Sequence, residues 1–314
     1  MSDATGLTIM AEGLRFPEGP IAQPDGSVIL VEIAAGKLTK VGPDGTRTTV
    51  ATPGGGPNGI ALGPEGRIFC CNNGGFLWHE GPEGLRPAGV PADYKGGRIE
   101  VIDPASGSVK VLYDRCGENT LKGPNDIVFA PKGSPGEGGF WFSDLGKVRA
   151  RDRDHGGVYW AASDGSRIVE AAFPIFGGAN GIALSPDGRT LYAAETETGR
   201  LWAWDIEGPG VVRKDPWPSS NGGRVICQFP GYRRLDSIAA TAAGNICVAT
   251  LVSGEITTVS PKGEILGVVR MPERMPTNIC FGGPGMRTAY VTLSLSGKLA
   301  AMPWGEAGLE LPFG

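Results

Sequence analysis

Histidine is almost absent from this chain. Of 314 residues only His79 and His155 are histidines, far apart in sequence, and no G-x-S-x-G elbow is present. A histidine-rich zinc site and a Ser-His-Asp triad therefore have little to be built from. Basic residues are not in excess either. Lys plus Arg number 29 against 33 Asp plus Glu, a net charge of -4, and no long Lys/Arg run occurs. That removes the electrostatic footprint of a nucleic-acid binder. No apolar stretch approaches the roughly 18 residues of a membrane-spanning helix. The opening "MSDATGLTIMAEG" has neither the basic nor the apolar part of a secretory signal. The expectation is a cytoplasmic protein with no nucleic-acid and no membrane partner, its oligomeric state unspecified. The six cysteines fall in no C-x-x-C spacing, so buried, reduced thiols are expected rather than a metal knuckle. Long stretches of helical period are missing as well.

What the chain has is glycine and proline, 52 and 26 residues, set between short apolar runs. This is the punctuation of many turns and many short strands. The runs also repeat. "FPEGPIAQPDGSVILVE" from Phe16, "PNGIALGPEGRIFCCNN" from Pro57 and "GPNDIVFAPKGSPGEGGFWFSD" from Gly123 share one grammar. So do "ANGIALSPDGRTLYAAE" from Ala179, "LDSIAATAAGNICVATL" from Leu235 and "PTNICFGGPGMRTAYVTL" from Pro276. In each, a polar-then-apolar strand leads through a turn into a second apolar strand. Six copies, each too small to bury its own faces, predict an all-β, six-bladed β-propeller with four-stranded antiparallel blades around a central channel. It would form one domain over residues 1–314. The spacers from Phe76 to Gly96 and from Lys147 to His155 read as loops. Trp141, Trp160, Trp202, Trp204 and Trp304 read as packing between blades.

The residue at the head of each innermost strand is short and bears oxygen. In order these are Glu18, Asn58, Asn125, Asn180, Asp236 and Thr277. In a propeller the innermost strands all start at one end of the channel, so these side chains should converge. Taken singly, each is an ordinary turn-capping residue. Taken together, two carboxylates and several amides form a hard oxygen donor set. It suits Ca²⁺ first, with Mg²⁺, Mn²⁺ and Zn²⁺ as alternatives. Two unpaired carboxylates in a narrow channel are costly, and a cation removes that cost.

The motifs "FPEGP", "GPNDIVF", "NGIALSPDGRTLY" and "LDSIA…GNICVA" resemble the regucalcin/gluconolactonase (senescence marker protein) family of six-bladed propellers. The resemblance covers essentially the whole chain. It is nearest to the bacterial lactonase branch through "FWFSDLG" and "HGGVYWAASDGS", with a fainter similarity to diisopropyl fluorophosphatase. It implies a divalent metal at the channel mouth and hydrolysis of a lactone to its hydroxy acid. Carried over residue by residue, it implies metal-binding roles for Glu18, Asn180 and Asp236, and a metal or substrate role for Asn125. Family members that act on sugar lactones often carry Arg-x-Asn-Asp where this chain has Gly123-Pro124-Asn125-Asp126. A less polar lactone or enol-lactone is the substrate that this departure favours.

The chemistry expected of such a site is Lewis-acid polarisation of the carbonyl plus proton transfer. Asp236 is the first candidate for the acid–base role and Asp126 the second, with Ser237 as a supporting neighbour. Asn58, Asn125, Asp126 and Thr277 are the candidate substrate contacts. His155 with Arg149, Arg151 and Arg153 reads as a solvated charged loop that a mouth would place nearby. Two other readings stand beside the lactonase: a phosphotriester hydrolase on the same site, and a non-catalytic ligand-binding propeller.

Overall fold

Each repeat folds as one antiparallel sheet. The computed structural model describes residues 2–313, and within them the main sheets number six, arranged as blades around a channel. Blade 1 runs from the inner strand Pro17–Ala22 through Val28–Glu32 and Lys37–Val41 to the outer strand Arg47–Ala51. The inner strands of blades 2 to 6 are Pro57–Leu62, Pro124–Phe129, Ala179–Leu184, Arg234–Ala240 and Pro276–Gly282. Among the described residues no α-helix occurs, only three single turns of 3₁₀ helix. The expected propeller is the observed fold.

Local chemistry explains the hairpins. At Asp25-Gly26 the glycine takes φ +80° while the Asp25 carboxylate accepts the Ser27 amide at 3.0 Å. Such a turn needs a residue without Cβ at its left-handed position. The inner strands are nearly all buried, whereas the outer ones face water.

The core is divided among the blade-to-blade contacts, with one apolar cluster for each of the six. Between blades 3 and 4, Trp141 and Trp160 meet Ile182, Leu191, Trp202 and Trp204. Trp304 lies in the cluster between blades 5 and 6. The tryptophans are thus packing residues, as expected. Burying an aromatic of this size stabilises by up to about 5 kcal/mol, so the ring is held chiefly by these contacts. All six cysteines are free thiols, Cys116 and Cys280 being only partly covered.

Two features were not expected. The ring closes inside a blade: the early strand Thr8–Ala11 is the outer strand of blade 6, paired with Lys298–Pro303. In addition, the spacer after Phe76 is not a simple loop. Leu77–Gly81 and Gly84–Gly89 pair as a hairpin projecting from blade 2. This flap reaches across to its neighbours. Leu85 N donates to Leu295 O at 3.0 Å, and Arg15 pairs with Glu80 at 3.0 Å. Trp78 packs against Phe16 and Phe76, with ring centroids 5.1 and 5.8 Å away. The spacer 147–155 is a loop with a single bridge between Val148 and Arg153.

Candidate active site

All six inner strands carry a β-bulge at the same place, immediately after their first residues. One extra residue there re-aims the side chains. The second residue of the motif faces the flap end of the channel. Glu18, Asn58, Asn125, Asn180 and Asp236 all line one cavity of about 710 Å³ at that end. The third residue turns the other way. Gly19, Asp126 and Asn278 line a second cavity of about 780 Å³ at the opposite end, which the segment Leu309–Pro312 also lines.

The repeated Asn-Gly has two separable causes. The asparagine serves the mouth, and the glycine lets the next blade come close. A Cβ on Gly59 would lie 2.5 Å from Asn125 O, and one on Gly181 2.6 Å from Asp236 O. Blades 3, 5 and 6 have Asp126, Ser237 and Asn278 at this place, and these side chains are used as ties. Asn278 Nδ2 donates to Glu18 Oε2 at 2.8 Å. Asp126 accepts from the Ile127 amide at 3.0 Å, and also from Ile182 N–H and Ser237.

Two of the expected contacts do not line the mouth. Asp126 faces the far cavity because neighbouring residues on a strand point to opposite sides, an alternation that the bulge at this place does not undo. Thr277 is buried beneath Glu18, its hydroxyl within 2.9 Å of that of Thr292 and also bonded to Ser294. Ser237 supports Asp126 rather than the mouth.

The electrostatics of the site are those of acids without enough counter-charge. Burial holds the Glu18 carboxyl above its ordinary value, against hydrogen bonds from Asn278, Gly19 and Thr277. Asp236 is pushed up strongly, first by burial and then by the neighbouring Glu18 charge, with a hydrogen bond from Asn180 opposing. Asp126 is pushed up to about 7 by burial and by Glu18. The Asn180 amide donates to Thr196 Oγ1 at 3.1 Å, yet its Oδ1 is fully buried with no hydrogen-bond partner. Such an orphan is costly unless something else takes its lone pairs.

Among the described residues no group of three or more His, Cys, Asp or Glu is placed to hold a metal. A metal here would depend on amide oxygens. The donor set at the mouth fits a hard cation: two buried carboxyls, an orphaned amide oxygen, and the Asn58 and Asn125 amides, which have no side-chain hydrogen bonds among the described residues. This is oxygen chemistry of the Ca²⁺ type.

Sequence reasoning missed the residues that hold the mouth in shape. The last residue of the second strand repeats as an acceptor for the approach to the inner strand. Glu32 takes Arg15 N at 2.8 Å, and Asn72 takes Gly56 N at 2.9 Å. Asp144 takes Lys122 N and Gly123 N at 2.7 Å each, and Glu195 takes Gly177 N at 2.6 Å. The recurrence of Glu32, Asn72, Asp144 and Glu195 at equal places was the available signal. Gly123 also explains the missing arginine, because a Cβ there would lie 2.6 Å from Gly146 O. Lys147 was missed too. Its ammonium is buried, donating to Gly75 O at 2.7 Å and Asn73 Oδ1 at 3.3 Å, with the Phe76 ring 4.2 Å away. Burial lowers it to about 7 in spite of Asp144 and Asp154.

The family model described as the SMP-30/gluconolactonase/LRE-like region matches residues 16–294. The chain belongs to the SMP-30/gluconolactonase/LRE-like family. Within it, the chain is 28% identical over 270 residues to lactonase drp35 of Staphylococcus haemolyticus, covering 85% of this chain and 73% of the relative. It is 22% identical over 320 residues to the gluconolactonase of Zymomonas mobilis, covering 93% and 80%. Among solved structures, a calcium-binding regucalcin from Agrobacterium tumefaciens superposes with TM-score 0.75 at 18% identity, covering 99% of this chain and 98% of that one. A gluconolactonase from Xanthomonas campestris gives 0.72 at 20%, covering 95% and 89%. At such identities the superpositions establish the propeller of this family alone.

Proposed function

We propose that this protein hydrolyses a lactone to its hydroxy acid, with a divalent cation, Ca²⁺ first, held by Glu18, Asn125, Asn180 and Asp236. The observation that carries the reading is the buried Asn180 Oδ1, which has no partner, on an amide that also hydrogen-bonds the Asp236 carboxyl. Relatives named as lactonases and gluconolactonases support the reaction class. A divalent cation bound there would polarise the lactone carbonyl and stabilise the oxyanion. Asp236 takes the proton of the attacking water and returns one to the ring oxygen as its bond to the carbonyl carbon breaks. The Asn58 amide, on the same wall, is free to donate to the substrate. Phe16, Ile33, Leu77 and Met275 give the cavity apolar sides, which favour the ring and thin the water around it.

The test is acid release in a pH-stat from a panel of γ- and δ-lactones, before and after EDTA and after adding back Ca²⁺. Turnover lost with EDTA and restored by Ca²⁺ is expected. Turnover indifferent to EDTA removes the cation from the reading, and no turnover on any lactone removes the reaction.

A further inference from the structure

Five basic side chains line the mouth cavity, Arg86, Lys147, Arg149, Arg153 and Arg234, against three acidic ones, Glu18, Glu197 and Asp236. Most of these charges are already engaged. Arg234 Nε donates to Glu197 at 3.0 Å, and Arg149 is paired with Asp152 and Asp154. Lys147 is locked beneath the loop by Asn73 and Gly75. Two guanidiniums remain without an acidic partner among the described residues. Arg153 donates only to the backbone carbonyls of Asp154 and Leu145, both at 3.4 Å. Among the described residues the Arg86 side chain makes no hydrogen bond or ion pair, and it sits exposed on the flap.

These two come from different elements. Arg86 lies on the hairpin of blade 2 and Arg153 on the loop between the second and third strands of blade 3, and both face one cavity. A guanidinium presents a planar fork of donors that matches a carboxylate. Of the acids at the mouth, Glu197 is taken by Arg234, and Glu18 and Asp236 are buried on the floor. The remaining lining is apolar apart from Asn58, Asn125, Asn180 and Thr196, and a side chain at position 123 is excluded by the Gly123–Gly146 contact.

We infer that the substrate is an anionic lactone, a ring with an apolar body carrying a carboxylate, and that Arg86 and Arg153 bind that carboxylate at the rim while the ring reaches the floor. This rests on the lactonase reading for the ring and on the two free arginines for the charge.

The experiment separates the two. Hydrolysis of 5-oxooxolane-2-acetate is compared with that of its primary amide, in wild type and in the Arg86→Gln/Arg153→Gln double variant. The acid-to-amide ratio of kcat/KM is read on each preparation, so partial unfolding cancels. A charge-assisted pair is worth roughly 10–100-fold. We expect a ratio in that range for wild type, falling toward one in the double variant. Arg151→Gln, on the same loop but outside the cavity, should keep the ratio. A wild-type ratio near one, or a ratio unmoved by the double variant, overturns the inference. Should neither lactone be opened, the lactonase reading fails on these rings and calorimetry decides the charge. Tighter binding of 3-hydroxyhexanedioate than of 4-hydroxyhexanoate, lost in the double variant, supports an anion subsite. Equal affinities overturn it.

Discussion

Replacing Gly181 by alanine tests whether the Asn-Gly repeat is a packing device. The new methyl would lie 2.5 Å from Ile238 N and 2.6 Å from Asp236 O. Both are backbone atoms of the next inner strand, so no rotamer change relieves the clash. Overpacking of this kind typically costs about 1–3 kcal/mol, and rigid backbone on the receiving side puts Gly181→Ala at roughly 3 kcal/mol or above. The opposite effect, a smaller unfolded-state entropy, returns only about 0.4–1 kcal/mol. Gly267→Ala isolates that second effect, since Gly267 lies on the exposed outer strand of blade 5 with nothing within 4 Å of its Cβ position. Thermal unfolding followed by tryptophan fluorescence should place Gly181→Ala roughly 6–12 °C below wild type, at about 2–4 °C per kcal/mol. Gly267→Ala should match or slightly exceed wild type. If both variants melt within a degree of wild type, the close approach of the inner strands does not depend on the absence of a Cβ, and the Asn-Gly repeat is not a packing device.

Four further outcomes are expected. Asp126→Asn should stabilise the cation-free protein at pH 8 but hardly at pH 4. The folded carboxyl titrates at about 7 against an ordinary 3.8, so the folded state loses stability as pH rises through this window. The ceiling is on the order of 4 kcal/mol at about 1.4 kcal/mol per pKa step, and denaturant midpoints in EDTA at the two pH values measure it. Excess Ca²⁺ should restore turnover to Glu18→Gln but hardly to Asp236→Asn, whose missing proton transfer is worth roughly 10²–10⁴-fold; equal rescue would make Asp236 a ligand only. Asn180→Asp should bind Ca²⁺ at least as tightly by calorimetry while kcat falls, because a third carboxylate weakens the cation as a Lewis acid; unchanged kcat at saturating Ca²⁺ takes Asn180 out of the donor set. Lys147→Met should speed hydrogen exchange at residues 74–81, since Gly75 O loses the Lys147 ammonium and Asn73 Oδ1 keeps only the Gly75 amide; unchanged exchange would mean that the ammonium anchors nothing.

The fold was legible because its unit is short and repeats. Asn58-Gly59 and Asn180-Gly181 mark the same place in two blades, and the turns between strands are local chemistry. The mouth residues were legible for the same reason, as equal places in a repeat converge in a ring. What could not be read was whatever depends on one residue's offset or on a distant partner. Alternation along the strand already argued that Asp126 turns away from the channel, but the bulge between Pro124 and Ile127 shows only in the strand register. Trp78 and Leu85 make the 77–89 hairpin into a roof through Phe16 and Leu295, contacts that no local pattern announces. Lys147 looked like one more loop charge because its burial comes from Phe76 and Tyr94, tens of residues away.

The pairing of Thr8–Ala11 with Lys298–Pro303 has a consequence for how the molecule is made. During synthesis Thr8–Ala11 emerges almost three hundred residues before its partner. Until then it has no sheet to join, and the growing chain is an open arc of blades with one bare face at each end. Closure is therefore the last step and the one of longest range, which by loop-closure entropy is also the slow one. Once the hydrogen bonds of that seam form, the ring cannot open without stripping a strand from a sheet. A blade-to-blade seam would have parted along side chains alone. The fold thus exchanges late completion on the ribosome for slow opening afterwards, and a protein lacking residues 2–11 should keep its blades but lose that resistance to unfolding.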